Sequence, residues 1–202
     1  TYVTPTTPAN FADKALSFDG SNDRATAGTS KSQFNFMHNS TSGKSSVNVW
    51  VARDAWDSGY EVIFTTGGEG AGTYYGFIVH YTSTNGVLQS TSLVGSDPNG
   101  ADVAPSTFTQ DSNFHMMTFV CDMTIVTGAM KIYQDGVLMG SGNRNNAGVN
   151  ANSRSPLNLG STWDANSQWL GGDILEMSVF NEILTPEMIT SLYNNGDGKE
   201  IY

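Results

Sequence analysis

Cysteine is nearly absent. Cys121 is the only one in 202 residues, which excludes an internal disulfide framework. Its apolar flank, Met116-Met117-Thr118-Phe119-Val120, marks it as a buried strand residue and not a catalytic thiol. Basic residues are scarce too. Nine Lys and Arg stand against nineteen Asp and Glu, for a formal net charge of −10, and the nine are scattered singly. Neutralising a phosphate backbone needs clustered cations, so nucleic acid is excluded as a partner and anionic membrane surfaces are disfavoured. No apolar run reaches the roughly 18 residues of a membrane span, which argues against membrane insertion. No secretion leader opens the chain, and it reads as a processed protein or as one domain of a longer one. Charged residues make up only 14%, and Asn, Ser, Thr and Gly fill the polar remainder. A helical protein would be richer in Glu, Lys, Ala and Leu.

What is present is a series of strands. Residues 45–53 carry Val47-Asn48-Val49-Trp50-Val51 with the period of two that buries alternate side chains. Residues 61–66, 75–81, 87–94 and 114–122 repeat the theme. The clearest hairpin is Lys131-Ile132-Tyr133-Gln134-Asp135-Gly136-Val137-Leu138, whose Asp-Gly step predicts a tight turn with two positive-φ residues. Pro156-Leu157-Asn158-Leu159-Gly160 predicts a short strand with a glycine stop, and residues 140–155 a long Asn/Gly-rich loop. One helix is expected, with Thr185 as N-cap, Pro186 at its first position and Gly196 beyond its end. Strands at roughly ten-residue spacing indicate a sandwich or a barrel. Residues 1–10, with Pro5 and Pro8 among Thr and Val, read as an extended arm or linker. Residues 11–202 form a single domain with no internal boundary.

Several of these segments, taken in order, resemble the laminin-G-like, concanavalin-A-like lectin/glucanase β-sandwich family. Phe18-Asp19-Gly20-Ser21-Asn22-Asp23 is similar to its opening strand and turn, and the Trp50 strand to its second. Phe114-His115-Met116-Met117-Thr118-Phe119, the Asp135-Gly136 hairpin, Pro156 to Gly160, and Gly172 to Leu184 complete the pattern. The resemblance spans about residues 15–195. It implies an all-β, two-sheet antiparallel jelly-roll sandwich with one short C-terminal helix. Phe34-Asn35-Phe36-Met37-His38-Asn39 resembles a segment of such domains in phage structural proteins.

The family includes enzymes, but the Glu-x-Asp-x-x-Glu motif of its laminarinase-type members is missing, as is the Arg/Gln/His/Tyr set of its alginate lyases. Retaining glycosidases need two carboxylates about 5–5.5 Å apart. The nearest candidates, Asp173 and Glu176, are three apart, which places them on opposite faces of a regular strand. The expectation is therefore no catalytic residue. A glycoside hydrolase or polysaccharide lyase is the weakest reading.

A sugar ring offers an apolar face to aromatic side chains while polar groups bind its hydroxyls. Candidate ligand-binding residues follow: Trp163, Asp164, Asn166, Trp56, Asp57, Tyr60, Tyr74 and His80. The implied function is a non-catalytic module that recognises glycans or a surface receptor, outside the cell or on a virion surface. The alternative is a decoration or assembly protein whose N-terminal arm docks on other virion or surface proteins, burying Tyr2, Val3 and Phe11 in the partner. No cofactor is certain. Family members often hold calcium, and Asp19, Asp23, Asp173 and Glu176 are the candidate calcium ligands, although Asx residues also close turns by themselves.

Overall fold

The computed structural model describes residues 7–11, 15–39, 43–53, 59–70, 73–82, 88–95, 102–103, 111–143, 152–164 and 166–199. Strands are numbered in chain order. One sheet runs β1 (Leu16–Asp19), β13 (Gly171–Phe180), β3 (Lys44–Arg53), β9 (His115–Asp122), β10 (Met130–Gln134), β11 (Val137–Gly142). The other runs β2 (Ala25–Ala27), β12 (Leu157–Leu159), β4 (Glu61–Thr65), β6 (Thr73–Tyr81), β7 (Leu88–Gly95), β8 (Asp102–Val103), with β5 (Gly68–Gly70) also paired to β6. All pairings between these strands are antiparallel. The result is the expected two-sheet sandwich.

Alternation builds the core between the sheets. Val47, Val49 and Val51 of β3 face Phe64, Phe77 and Val79 of the second sheet in one buried cluster, with Cys121 among them. The opposite parity of β3, Trp50 and Ala52, belongs to a second buried cluster with Met116, Tyr133 and Leu175. So β3 is buried on both faces. The helix α1 (Pro186–Tyr193) covers that outer face and contributes Ile189, which is fully buried. Thr185 caps α1, its Oγ1 accepting the Met188 N–H at 3.3 Å. The left-handed stop comes two residues before the expected Gly196, because Asn194 already adopts that conformation.

Two features depart from simple alternation. In β13 the register shifts between Leu175 and Met177, where Glu176 stands at φ +42. This bulge returns Met177 and Val179 to the inner core after Ile174 and places Leu175 and Phe180 in the outer cluster. Asp173 and Glu176 are thus not on a regular strand, and their spacing of three does not by itself fix the faces they take. The segment Lys31–His38 forms a 3-10 helix with Ser30 and Gln33 as its capping box, and it drives Met37 into the inner core.

The N-terminal segment also departs from expectation. Residues 7–11 lie against the sandwich. Asn10 N–H donates to Asp197 O at 3.1 Å, and Phe11 packs edge-on against Trp50 with centroids 6.1 Å apart. Phe11 is thus buried within its own chain and not in a partner, because Trp50 and Gly198 already provide its apolar seat. Tyr2 and Val3 lie outside the described residues. The expected loop at 140–155 begins later than predicted, since β11 continues to Gly142; residues 144–151 lie outside the described residues.

Candidate functional site

The Trp163 loop grows out of β12. Leu157 and Leu159 point into the core, so Asn158 between them points outward. Asn158 Oδ1 accepts the Thr26 hydroxyl at 2.9 Å, and its Nδ2 donates to Ser155 Oγ at 3.3 Å and to Trp163 O at 3.4 Å. Gly160, at φ +80, then turns the chain back, and the returning loop pairs with β4 through the Val62 N–H to Gln168 O bond of 2.9 Å. The loop ties itself together at its tip. Thr162 Oγ1 donates toward Asp164 Oδ1 at 2.8 Å and Ser167 O at 3.1 Å, and Asn166 Nδ2 donates to Asp164 Oδ2 at 3.2 Å. Burial pushes the Asp164 carboxyl up, but the Thr162 and Asn166 hydrogen bonds together outweigh it and hold the group below the usual carboxylate range.

Trp163 is half-buried. The Arg154 guanidinium lies 4.1 Å above its ring centroid, a cation–π contact that occupies one face of the indole. Arg154 is fixed in turn by its backbone N–H, which donates to Thr66 O at 2.9 Å. Asp164 and Asn166 are exposed beside it.

Tyr60 and His80 share the outer face of the same sheet. His80 alternates with the inward Phe77, Val79 and Tyr81, and stands opposite Val62 across β4 and β6. The Tyr60 ring, 44% exposed, meets it edge-on at 5.3 Å. Because Val62 also holds Gln168, the Trp163 loop and the Tyr60–His80 pair lie along neighbouring strands. Two groupings result: Tyr60 against His80 beside β4 and β6, and Trp163, Asp164 and Asn166 in the loop that follows β12. Trp56 and Asp57 lie outside the described residues, as does the side chain of Tyr74, whose backbone belongs to β6.

The calcium candidates do not assemble. Asp19 Oδ1 accepts the Ser21 and Asn22 N–H groups, and Asp23 Oδ2 accepts the N–H of Asp19, so both carboxylates close their own turn. Asp173 is buried beside Ser17 and Ala52, and Glu176 is held at the bulge. Among the described residues no three His, Cys, Asp or Glu side chains form a metal-holding group. Calcium needs six to eight oxygens, and this donor set does not fit it.

Sequence reasoning missed two groupings. Arg154 looked like one scattered base among nine, and nothing local links it to Trp163. His115 stands at the start of β9, where its Nδ1 lies 2.6 Å from Asp135 Oδ2 and its Nε2 3.1 Å from Asp111 Oδ1. The Asp135 hydrogen bond raises the His115 pKa above its ordinary value, burial opposes it, and the Asp111 contacts add to the rise. Asp135 also accepts the Met116 N–H at 2.9 Å. The pairing of Gln134 with Met117 brings the Asp-Gly turn beside His115, and that register is absent from the local sequence.

Solved structures share this fold. Trypanosoma rangeli sialidase in complex with sialic acid superposes with a TM-score of 0.66 at 16% identity, over 96% of this chain and 30% of that chain. Domain 4 of AbnA, a GH43 extracellular arabinanase from Geobacillus stearothermophilus, in complex with arabinotriose, gives 0.51 at 22% identity, over 76% and 69%. The binding domain of botulinum neurotoxin DC in complex with SialylT gives 0.61 at 15%, over 93% and 44%. The chain spans less than a third of the sialidase's length, and at these identities the likeness is one of fold. Among curated proteins no sequence matches this chain. A family model does: the laminin-G-type model of the concanavalin A-like lectin/glucanases superfamily matches residues 19–190, and the chain belongs to that superfamily.

Proposed function

We propose that this chain is a non-catalytic glycan-binding module, displayed outside a cell or on a virus particle, which holds its ligand on the outer face of the β4–β6–β12 sheet. The observation that carries this reading is the Trp163 loop. An indole with Arg154 on one face stands beside the exposed Asp164 and Asn166, in a loop fixed by its own hydrogen bonds. A loop ordered before binding loses little entropy on binding. Trp163 and Tyr60 supply ring faces for stacking, while Asp164, Asn166 and His80 orient hydroxyls. The fold family supports the reading, and so do the neighbours described in complex with sialic acid and arabinotriose. The missing Glu-x-Asp-x-x-Glu motif supports the non-catalytic part.

The test is a glycan array with the intact chain and with Trp163→Ala. The intact chain should retain at least one glycan class, and the variant should lose it while its stability falls by about 1–2 kcal/mol, the worth of a half-buried cation–π contact. No retention by the intact chain, or full retention by the variant, overturns the reading.

A further inference from the structure

An asparagine followed by glycine is a chemically labile step, because glycine has no side chain to hold its peptide nitrogen away from the asparagine amide. Among the described residues one such step occurs, Asn195-Gly196, in the turn that follows α1. The structure leaves this asparagine unguarded. Its side chain is exposed and makes no hydrogen bond among the described residues. Asn194 shares the left-handed conformation, but its Nδ2 donates to Gly198 O at 2.9 Å and a bulkier residue follows it. Asn35 and Asn48 are engaged too, accepting the Ser153 N–H at 2.8 Å and the Thr118 hydroxyl at 2.6 Å. Gly196 has room to move, since a Cβ on it would meet only Tyr193 Oη at 3.6 Å and Cζ at 4.0 Å. Asn195 also borders an open cavity of about 400 Å³, which gives water access to it.

The same turn fastens the N-terminal segment. Asp197 N–H donates to Asn194 O at 3.1 Å and Gly198 N–H to Tyr193 O at 3.2 Å. The carbonyls so placed hold Asn10: Asp197 O accepts its backbone N–H at 3.1 Å, and Gly198 O accepts its Nδ2 at 2.8 Å. Phe11 lies so close to Gly198 that a Cβ there would stand 2.1 Å from the ring. Each of these contacts depends on the length of main chain between residues 193 and 198.

We propose that Asn195 is a self-modification site, whose conversion to isoaspartate loosens Asn10 and Phe11 from the sandwich. The Gly196 peptide nitrogen attacks Asn195 Cγ. The new N–Cγ bond forms as the Cγ–Nδ2 bond breaks, and the amide leaves as ammonia with the peptide proton. Water then opens the succinimide ring. Cleavage of the N–Cγ bond gives aspartate, and cleavage of the bond between the nitrogen and the Asn195 main-chain carbonyl carbon gives isoaspartate. Neither step consumes an oxidant or a cofactor. Isoaspartate routes the main chain through Cβ and Cγ, so the turn gains one atom and no longer presents both carbonyls to Asn10. Aspartate adds charge alone.

The test ages the full chain at neutral and at mildly acidic pH and follows it by peptide mapping, with electron-transfer fragmentation to separate isoaspartate from aspartate. Asn195 should convert ahead of Asn194, and faster at neutral pH, because the attacking nitrogen must lose its proton. Amide exchange is then compared between fresh and aged chain. In the isoaspartate form the Asn10 and Gly198 N–H groups should exchange roughly tenfold faster, the equivalent of one lost hydrogen bond. Asn195→Asp lengthens no backbone and should keep the slow exchange. An Asn195 that stays intact or converts after Asn194 overturns the proposal. So does an isoaspartate form with unchanged exchange at Asn10, or an equal acceleration in Asn195→Asp.

Discussion

The ring of Phe18, on β1 of one sheet, occupies the space where a Cβ on Gly160, after β12 of the other, would have to stand. Gly160 also adopts φ +80, which L side chains rarely accept. The opening strand and the glycine stop thus lock the two sheets together at one point.

Gly160→Ala is expected to destabilise the fold by about 3 kcal/mol, the sum of overpacking and backbone strain. The urea midpoint should fall with an unchanged slope. Phe18→Leu in the same chain should recover part of the loss, because the two positions are coupled. A shift under about 1 kcal/mol would mean that the ring moves aside freely.

Arg53, at the end of β3, and Glu61, at the start of β4, form an ion pair that bridges the sheets and is buried on both sides. The guanidinium also lies 4.3 Å from the centre of the Tyr81 ring. Glu61→Gln leaves a buried guanidinium without its counter-charge and should cost about 3–5 kcal/mol. The double replacement of Arg53→Met together with Glu61→Leu removes both charges and should restore most of that loss. Equal losses in both proteins, read from denaturation midpoints, would rule out the desolvation argument.

Burial raises the Tyr81 phenol from 10.0 to about 12, with Arg53 lowering it and Glu61 raising it in smaller measure. The folded state favours the neutral phenol. Ionisation is therefore resisted by the fold, and stability falls as pH rises from the unfolded value of 10.0 toward 12. A shift of two pH units corresponds to about 3 kcal/mol. Phenolate absorbance should show one tyrosine ionising only as the fold opens, and Tyr81→Phe should flatten the alkaline fall in stability. Unchanged alkaline behaviour in that variant would refute the assignment.

His115 gives a second pH dependence. Its folded pKa is raised above 6.5, first by the Asp135 hydrogen bond, so the protonated ring stabilises the native state. That stabilisation is full below pH 6.5 and disappears as pH rises through the folded value. The ¹H titration of the ring should report the raised value, and Asp135→Asn should move it down and reduce the stability slope above pH 6.5. A variant that titrates like the parent would show that Asp135 is not the cause.

Much of the strand order could be read from the residues alone. The Asp135-Gly136 turn formed as expected, with φ of +52 and +83, and Gln134 pairs with Val137 across it. The Thr185–Pro186 helix start followed from capping, and the inward Val47, Val49 and Val51 from alternation. The bulge at Glu176 was not legible, since no glycine marks it. Its position is set by the need to return Met177 and Val179 to the inner core.

What the sequence determined by itself was local: where strands and turns fall, and which aromatics stand beside polar groups. Backbone preferences and the period of two act over a few residues, so they are visible in the chain. The tertiary structure decided the partners: Arg154 over Trp163, Asp135 against His115, Phe11 on Trp50 and Phe18 on Gly160. Each pair depends on register between strands or on packing between elements distant in sequence. Those choices are made by the burial of whole faces and not by any residue's immediate neighbours.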